Sequence, residues 1–444
     1  MKLLSPPAKN SKINSSIQVP PDKSIAQRSV IFSSIAKGES IIKNFPIAGD
    51  PQSTLKVYGS FGVKIEQFQD ENGINNLRIA GKGIDGLKEP NDVLNCDNSG
   101  TCMRLTMGLL SGLPTGLFSV LTGDASLRKR PMRRIVQPLI SLGAHIEGAN
   151  QSNNAPLSII GRSLNGGEIK MKVASAQLKS ALILASMNAS SKLLITEPEP
   201  SRNHSEIMLS SMGLKIVRKG QNTIEVHPGE IEAKNIEIPG DPSSAAFMVA
   251  ACLMLPESKL TITNVGLNPT RTGYLEVLRS MGAKINTVVE SSEGEPIGRI
   301  EVEYSDLKGT EIKGEIIPNV IDELPILSLI AARAEGTTVI RDAAELRVKE
   351  SDRLAKMAEM LKNLGVKIEE LEDGLIIEGM HGAKFNPTDG YIFDSAHDHR
   401  IAMTLGTASL ATSKEFTLNG SEWADVSFPG FFKLLESIVC NNQL

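Results

Sequence analysis

The sequence predicts an α/β protein of two domains, built from six βαβαββ units with three in each domain. Three observations carry that expectation. The chain has 444 residues, beyond the roughly 250–300 at which one hydrophobic core stops growing. One short phrase recurs five times, and a helix-start signature interleaved with it recurs six times.

The phrase appears as Ser60–Ile65, Ser141–Ile146, Ser211–Ile216, Ser280–Ile285 and Asn363–Ile368. Its glycines, Gly62, Gly143, Gly213, Gly282 and Gly365, stand 81, 70, 69 and 83 residues apart. It predicts a helix closing on a glycine cap and turning into a short alternating strand. The helix starts fall at Asp22, Asn98, Ser175, Asp241, Asp322 and Asp398, spaced 76, 77, 66, 81 and 76. Each sets an N-cap type of residue before an apolar run.

The elements follow in order. Gly38–Ile42 predicts a strand after the first helix, and 51–61 the second helix. Residues 67–88 suggest a hairpin. The second unit runs as helix 101–110, strand 117–121 and helix 130–142; the third as 177–185, 192–196 and 204–212. A boundary is expected near Ile238–Asp241. The second half continues through Leu260–Thr263, 271–281, 324–332 and 351–364. An elongated solenoid fits six such long units less well than two compact bodies.

Composition excludes several classes. Aromatic residues are 4%, with one Trp, too few for a stacking platform for nucleic acid. The formal charge of -4 and pI near 6.0 argue against a general polyanion binder but permit a local cationic pocket. Cys96, Cys102, Cys252 and Cys440 form no zinc-ligand spacing. There is no signal-peptide core and no 18-residue apolar span, so a cytoplasmic protein without membrane partner is expected.

The helix starts are the candidate chemistry. A helix N-terminus offers unpaired N–H groups and a positive dipole end to anions. Basic side chains cluster at these starts: Lys23, Arg28, Arg104, Lys179 and Arg400, with Arg202 in the segment 200–204. The stretch Arg347–Arg353 holds five ionisable side chains. Read as the opening of a helix, it sets Lys349 and Arg353 on one face beside Glu350; a salt-bridged surface helix is the plainer alternative. Asp322, Glu323 and Glu350 add carboxylates, so one acid and one base could serve proton transfer. No phosphate-binding Gly-rich motif is present. His397 and His399 flank an Asp at a helix start and fit a metal site poorly. Cys102 lies on an apolar helical face and reads as packing.

Seven segments then carry a resemblance: Pro21–Arg28, Asn98–Thr106, Gly123–Met132, Ser175–Lys179, Ile321–Glu323, Arg347–Arg353 and Asp398–Met403. In this order they resemble the 5-enolpyruvylshikimate-3-phosphate synthase family (3-phosphoshikimate 1-carboxyvinyltransferase), in its class II-like branch, over essentially the full length. The resemblance implies a two-domain inverse α/β barrel. Residues 22–240 would form the first domain, mainly the shikimate 3-phosphate side, and 1–21 with 241–444 the second, with the active site in the cleft between them. It implies transfer of the enolpyruvyl group of phosphoenolpyruvate to the 5-hydroxyl of shikimate 3-phosphate, with release of phosphate, on the route to chorismate and the aromatic amino acids. No metal and no organic cofactor are implied, and a monomer is expected.

Carried over by motif, Lys23, Ser24, Arg28, Ser175, Ala176, Gln177, Arg202, Asp322 and Lys349 would hold shikimate 3-phosphate. Lys23, Gly100, Arg130, Gln177, Arg353 and Arg400 would line the phosphoenolpyruvate site. Asp322 and Glu350, with Lys23 and Lys349, would be the catalytic groups. Three details qualify the match. Ser427–Pro429 lacks the basic residue that one branch carries before its final Phe-Pro. Leu105–Thr106 follows Arg104, as in the class II branch. Gly100 stands where some members of that branch have Ala and tolerate the inhibitor glyphosate, so sensitivity is expected here. Two rivals stay open: a UDP-N-acetylglucosamine enolpyruvyltransferase, whose loop cysteine residues 121–131 lack, and a non-catalytic protein binding a phosphorylated metabolite.

Overall fold

The computed structural model describes residues 1–47, 49–114, 116–292 and 294–440, without the side chain of Cys440. The chain divides into two compact units, 21–239 and 1–20 with 240–444. Each unit has its own apolar core, running from Ile25 to Ile238 in the first and from Leu4 to Ile438 in the second.

Six small sheets form among the described residues, three in each unit. In the first unit each has four strands. The middle one shows the plan: Leu94–Asn95 lies parallel to Phe118–Thr122, which pairs antiparallel with Asn154–Ile160, and that with His145–Gly148. The third repeats it with Gly167–Lys170, Leu193–Thr196, Thr223–Val226 and Ile216–Arg218. The first consists of Lys37–Lys43, Asn75–Lys82 and Lys64–Gln69, and takes its parallel strand, Ile236–Glu237, from the far end of the unit.

The second unit follows the plan with two substitutions. Glu311–Ile312, Thr337–Ile340, Leu375–Glu378 and Ile368–Glu370 make a regular sheet. Lys259–Gly266 takes Lys12–Ile17 as its parallel partner. Among the described residues the sixth repeat shows no hairpin of its own: Phe416–Asn419 pairs with Ile392–Asp394 on one side and with Lys2–Leu4 on the other. The sixth unit therefore departs from the expected βαβαββ order.

The helices of eight residues or more in the first unit are α1 (Lys23–Ile35), α2 (Asp50–Ser60), α3 (Gly100–Ser111), α4 (Arg133–Ser141), α5 (Ala176–Ser186) and α6 (His204–Ser211). Those of the second are α7 (Pro242–Met254), α8 (Gly273–Ser280), α9 (Leu324–Arg333), α10 (Arg353–Asn363), α11 (His399–Ala408) and α12 (Phe431–Ile438). Outer helices α2, α4, α6, α8 and α10 run into the five recurring glycines, all at positive φ. At four of them the chain closes a paired C-terminal motif. After α4, Gly143 N–H donates to Ile140 O at 2.9 Å and Ala144 N–H to Leu139 O at 3.1 Å. The same pair of bonds recurs at Gly213, Gly282 and Gly365.

The other class is buried almost all round. Every residue of α7 is buried, as is every residue of α1 from Ile25 on. Such helices need apolar or small residues on all faces rather than one stripe. Where α3 crosses α5, a Cβ on Gly108 would stand 2.3 Å from Ala181 O, and one on Gly112 2.3 Å from Ala185 O. Both glycines are there because backbone meets side-chain space. Cys102 lies fully buried on α3, as packing requires, and burial pushes the Cys252 thiol up to about 12.

Gly108→Ala gains about 1 kcal/mol of helix propensity but drives a methyl into a carbonyl. A net loss of about 1–3 kcal/mol is expected, read as a lower urea midpoint; an unshifted midpoint would contradict this close approach.

Candidate active site

In the first unit Lys23, Ser24, Gly100, Ala176 and Gln177 lie at the starts of inner helices, and Arg130 and Arg202 in the segments before the outer helices α4 and α6. In the second, Asp322 and Arg400 lie at inner helix starts, while Lys349 and Glu350 precede, and Arg353 begins, the outer helix α10. In the first unit Asp22 caps α1, its carboxylate accepting from Ile25 N–H at 2.8 Å. This sets Lys23 as the first helical residue, with Nζ 3.3 Å from Asp50 Oδ2. Ser24 follows on the first turn. Arg28, one turn on, is buried: Nε donates to Ser205 Oγ (2.8 Å), Nη1 to Ser24 O (3.1 Å) and Nη2 to Ser180 Oγ (3.1 Å).

The cap of α3 is Ser99, one residue later than the signature at Asn98 suggested; its hydroxyl accepts from Cys102 N–H at 3.1 Å. Asn98 has another task, accepting from Arg130 Nη2 at 2.9 Å while donating to Asp124 at 2.6 Å. Gly100 thus begins α3 between two cations. A Cβ there would lie 3.3 Å from Arg104 Nη1 and 3.5 Å from Arg130 Nη1.

Ser175 caps α5, accepting from Leu178 N–H at 3.3 Å, so Ala176 and Gln177 are its first residues. Gln177 is held at both ends of its amide. Arg104 donates to its oxygen, and its nitrogen donates to Thr101 Oγ1 at 3.0 Å. The structure therefore brings together Gly100, Thr101, Arg104, Arg130 and Gln177. Arg104, a basic residue near a helix start that the resemblance does not assign to the site, orients Gln177. Lys179 differs from expectation. Its ammonium is buried and pairs with Glu197 and Glu206, so it presents no charge to a ligand. Arg202 sits half-buried in the segment between Leu193–Thr196 and α6.

In the second unit the stretch 347–353 is not the opening of one helix. Ala344–Val348 forms a 3-10 turn, Lys349 is extended, and α10 begins at Arg353 because Asp352 caps it through Ala355 N–H at 3.1 Å. Lys349 and Arg353 consequently share no helix face. Lys349 Nζ lies 3.2 Å from Glu345 Oε1. Arg347 turns away to Asp352 and Glu370, each at 2.9 Å.

Arg353 is the hub. It is 1% exposed and meets three carboxylates: Glu350 Oε2 at 2.6 Å, Asp398 Oδ2 at 2.8 Å and Asp322 Oδ1 at 3.4 Å. Burial pulls the guanidinium pKa down, but Asp398, Glu350 and Asp322 together carry it above its ordinary value. Asp398 shows the converse. Burial raises its carboxyl, and the charges of Arg353 and His399 outweigh this and hold it below the usual aspartate range. Asp398 also caps α11 through Arg400 N–H at 2.9 Å and accepts from Ser351 Oγ at 3.0 Å.

Arg400 reaches back to α9. Its Nη1 donates to Asp322 O at 2.6 Å and lies 3.4 Å from Glu323 Oε1. Glu323, rather than Asp322, is the residue next to the first turn of α9, and it has no capping side-chain bond. It is fully buried and accepts from Ser243 Oγ, which Arg271 holds at 3.0 Å. Neither Glu323 nor Asp398 is among the residues that the resemblance assigns to the site. Asp398 was legible as an N-cap type, whereas nothing in the sequence couples Glu323 to Arg400. His397 stacks on Trp423, ring centroids 4.8 Å apart.

Comparison with known proteins matches nearly the whole chain. The profile of the family described as EPSP synthase (3-phosphoshikimate 1-carboxyvinyltransferase) matches residues 7–435. A 3-phosphoshikimate 1-carboxyvinyltransferase of Synechococcus sp. (strain RCC307) is 47% identical over 426 residues, 95% of each chain. One from Persephonella marina is 44% identical over 98% of this chain and 99% of its own. A solved EPSP synthase from Acinetobacter baumannii superposes with a TM-score of 0.86 at 40% identity, covering 98% of both chains.

The sign of the Asp398 shift fixes an acid limit. A depressed carboxyl adds stability that is whole above about pH 4, its unfolded value, and is lost as pH falls through the lower folded value. Asp398→Asn leaves Arg353 short of a partner and is expected to cost about 3–5 kcal/mol at neutral pH, while flattening the acid limb of a stability–pH curve. An unchanged acid limb would refute the assignment.

Proposed function

Since the chain belongs to the EPSP synthase (3-phosphoshikimate 1-carboxyvinyltransferase) family and transfers the enolpyruvyl group of phosphoenolpyruvate to shikimate 3-phosphate, we propose that its two clusters divide that reaction. Shikimate 3-phosphate is held by Lys23, Ser24, Arg28, Ser175, Ala176, Gln177 and Arg202 of the first unit, with Asp322 and Lys349 of the second. Phosphoenolpyruvate engages Lys23, Gly100, Arg130 and Gln177, with Arg353 and Arg400. The helix starts supply N–H groups and the arginines paired donors for phosphate and carboxylate oxygens. The protein works as a cytoplasmic monomer.

The chemistry is an addition followed by an elimination. The 5-hydroxyl oxygen attacks C2 of phosphoenolpyruvate as a carboxylate removes its proton, and C3 takes a proton from an acid. The tetrahedral adduct then loses a proton from C3, the C2–O bond to phosphate breaks, and phosphate leaves. Asp322 and Glu350 serve as the proton-transfer groups, with Lys23 and Lys349 offsetting the developing negative charge.

One observation supports this choice of carboxylates. Four of them, Asp322, Glu323, Glu350 and Asp398, surround the guanidiniums of Arg353 and Arg400. The side chains of Glu323 and Asp398 are 0% exposed, while those of Asp322 and Glu350 are 18% and 29% exposed. The outer two alone among the four can exchange a proton with a ligand; the inner two fix the arginines.

Phosphate release from phosphoenolpyruvate in the presence of shikimate 3-phosphate is the direct assay. Release with UDP-N-acetylglucosamine but not with shikimate 3-phosphate would overturn the assignment. Glu350→Gln is expected to keep the fold and lower kcat by about 10²–10⁴-fold; a near-normal rate would make Glu350 a binding group. Glyphosate is expected to inhibit in competition with phosphoenolpyruvate. Gly100→Ala, which sets a methyl against Arg104 and Arg130, should raise the inhibitory concentration by at least about tenfold, and equal sensitivity of both proteins would remove Gly100 from the site.

A further inference from the structure

We propose that Lys179 and Glu197 are positioning residues for shikimate 3-phosphate, acting through Arg202; the inference rests on the proposed role of Arg202 in binding that substrate. Lys179 lies inside α5, two residues beyond Gln177, with its side chain 4% exposed. Burying an ammonium costs several kcal/mol before pairing, and a Met or Leu would fill the same space without that cost. The pattern of acceptors explains why a cation stands there. Nζ lies 2.7 Å from Glu197 Oε2, 2.7 Å from Glu206 Oε1 and 3.2 Å from Ser201 O. The contact with Glu206 is an ion pair whose angle makes no hydrogen bond.

These acceptors come from the end of a strand, from α6 and from the loop that joins them. Ser201 is the residue immediately before Arg202. Its carbonyl receives Lys179, its hydroxyl donates to Glu197 Oε1, and its N–H donates to Glu197 Oε2 at 3.4 Å. The loop thus folds back on the carboxylate that anchors Lys179. Pro198 and Pro200 fix φ on either side of Glu199 and leave the segment few alternatives.

A second pin lies just beyond. Ser205 Oγ accepts from Arg28 Nε at 2.8 Å and lies 2.7 Å from Ser180 Oγ. Arg202, Asn203 and His204 are therefore a three-residue span between two fixed points, both tied to α5 through Lys179 and Ser180. The position of the Arg202 backbone is set by α5, the helix that also carries Ser175 and Gln177. One helix then governs four of the residues assigned to shikimate 3-phosphate, Ser175, Ala176, Gln177 and Arg202.

Kinetics of the full-length enzyme test this. Glu197→Gln keeps the shape and removes the charge that holds Lys179. It is expected to raise KM for shikimate 3-phosphate about tenfold, while KM for phosphoenolpyruvate and kcat change less than about twofold. Combined with Arg202→Ala, it should add nothing to the effect of Arg202→Ala alone, because the clamp acts through that side chain. Multiplying effects in the double variant, an unchanged KM for shikimate 3-phosphate, or an equal rise in both KM values would overturn the proposal. Lys179→Met, if it folds, should match Glu197→Gln in this split. A separate failure is distinguishable: if Arg202→Ala alone leaves KM for shikimate 3-phosphate unchanged, the role of Arg202 itself is wrong.

Discussion

A helix buried on every side cannot hand its first amide groups to water. That constraint organises both units. The inner helices α1, α3, α5, α7 and α11 each begin with a side chain that turns back on the first turn: Asp22, Ser99, Ser175, Asp241 and Asp398. Once a cap is fixed, the residues beside it are fixed too, and those are Lys23, Gly100, Ala176, Gln177 and Arg400. The grouping of these residues at the helix starts is thus a by-product of satisfying buried backbone. Charges brought to such places must be paired, which accounts for the carboxylates around Arg353 and the serines around Arg28.

The repeat was legible because its signals are local. The five glycines sit at positive φ where α2, α4, α6, α8 and α10 end, and only five phrases occur because, among the described residues, the sixth repeat shows no hairpin to enter. Four of the six helix starts have their cap at the first residue of the signature. The other two slip by one for stated reasons: Asn98 is engaged by Arg130, and Asp322 turns its carboxylate to Arg353. What stayed hidden is contact across long sequence distance. Lys179 looks like any basic residue in a first turn until Glu197 and Glu206 are seen to enclose it. The 347–353 stretch suggested a continuous helix, and the capping of Arg353 by Asp352 divides it into two parts with different tasks. Helix periodicity could not show that Lys349 and Arg353 point to different partners.

The site residues separate by how far solvent reaches them. Glu323, Asp398 and Arg353 are nearly or fully buried, Asp398 paired with Arg353 and Glu323 with Arg400 and Ser243. Glu350, Asp322, Lys349 and Lys23 are partly open. An enzyme that moves protons at neutral pH needs both kinds. Groups enclosed in this way hold a fixed geometry, whereas the partly open ones are accessible to solvent.

The pairing of Lys12–Ile17 with Lys259–Gly266, and of Lys2–Leu4 with Phe416–Asn419, has a consequence for how the chain is made. The first unit is one uninterrupted stretch and can complete its sheets while the ribosome is still working. The opening strands belong to sheets whose partners emerge more than 240 residues later for Lys12–Ile17 and more than 410 later for Lys2–Leu4, a wait of roughly 10–80 s at about 5–20 residues per second. During that interval they are unpaired β-forming segments of an unfinished domain. Ser5–Ala8, with its two prolines between those strands, lies where an extended run would otherwise invite pairing with a stranger.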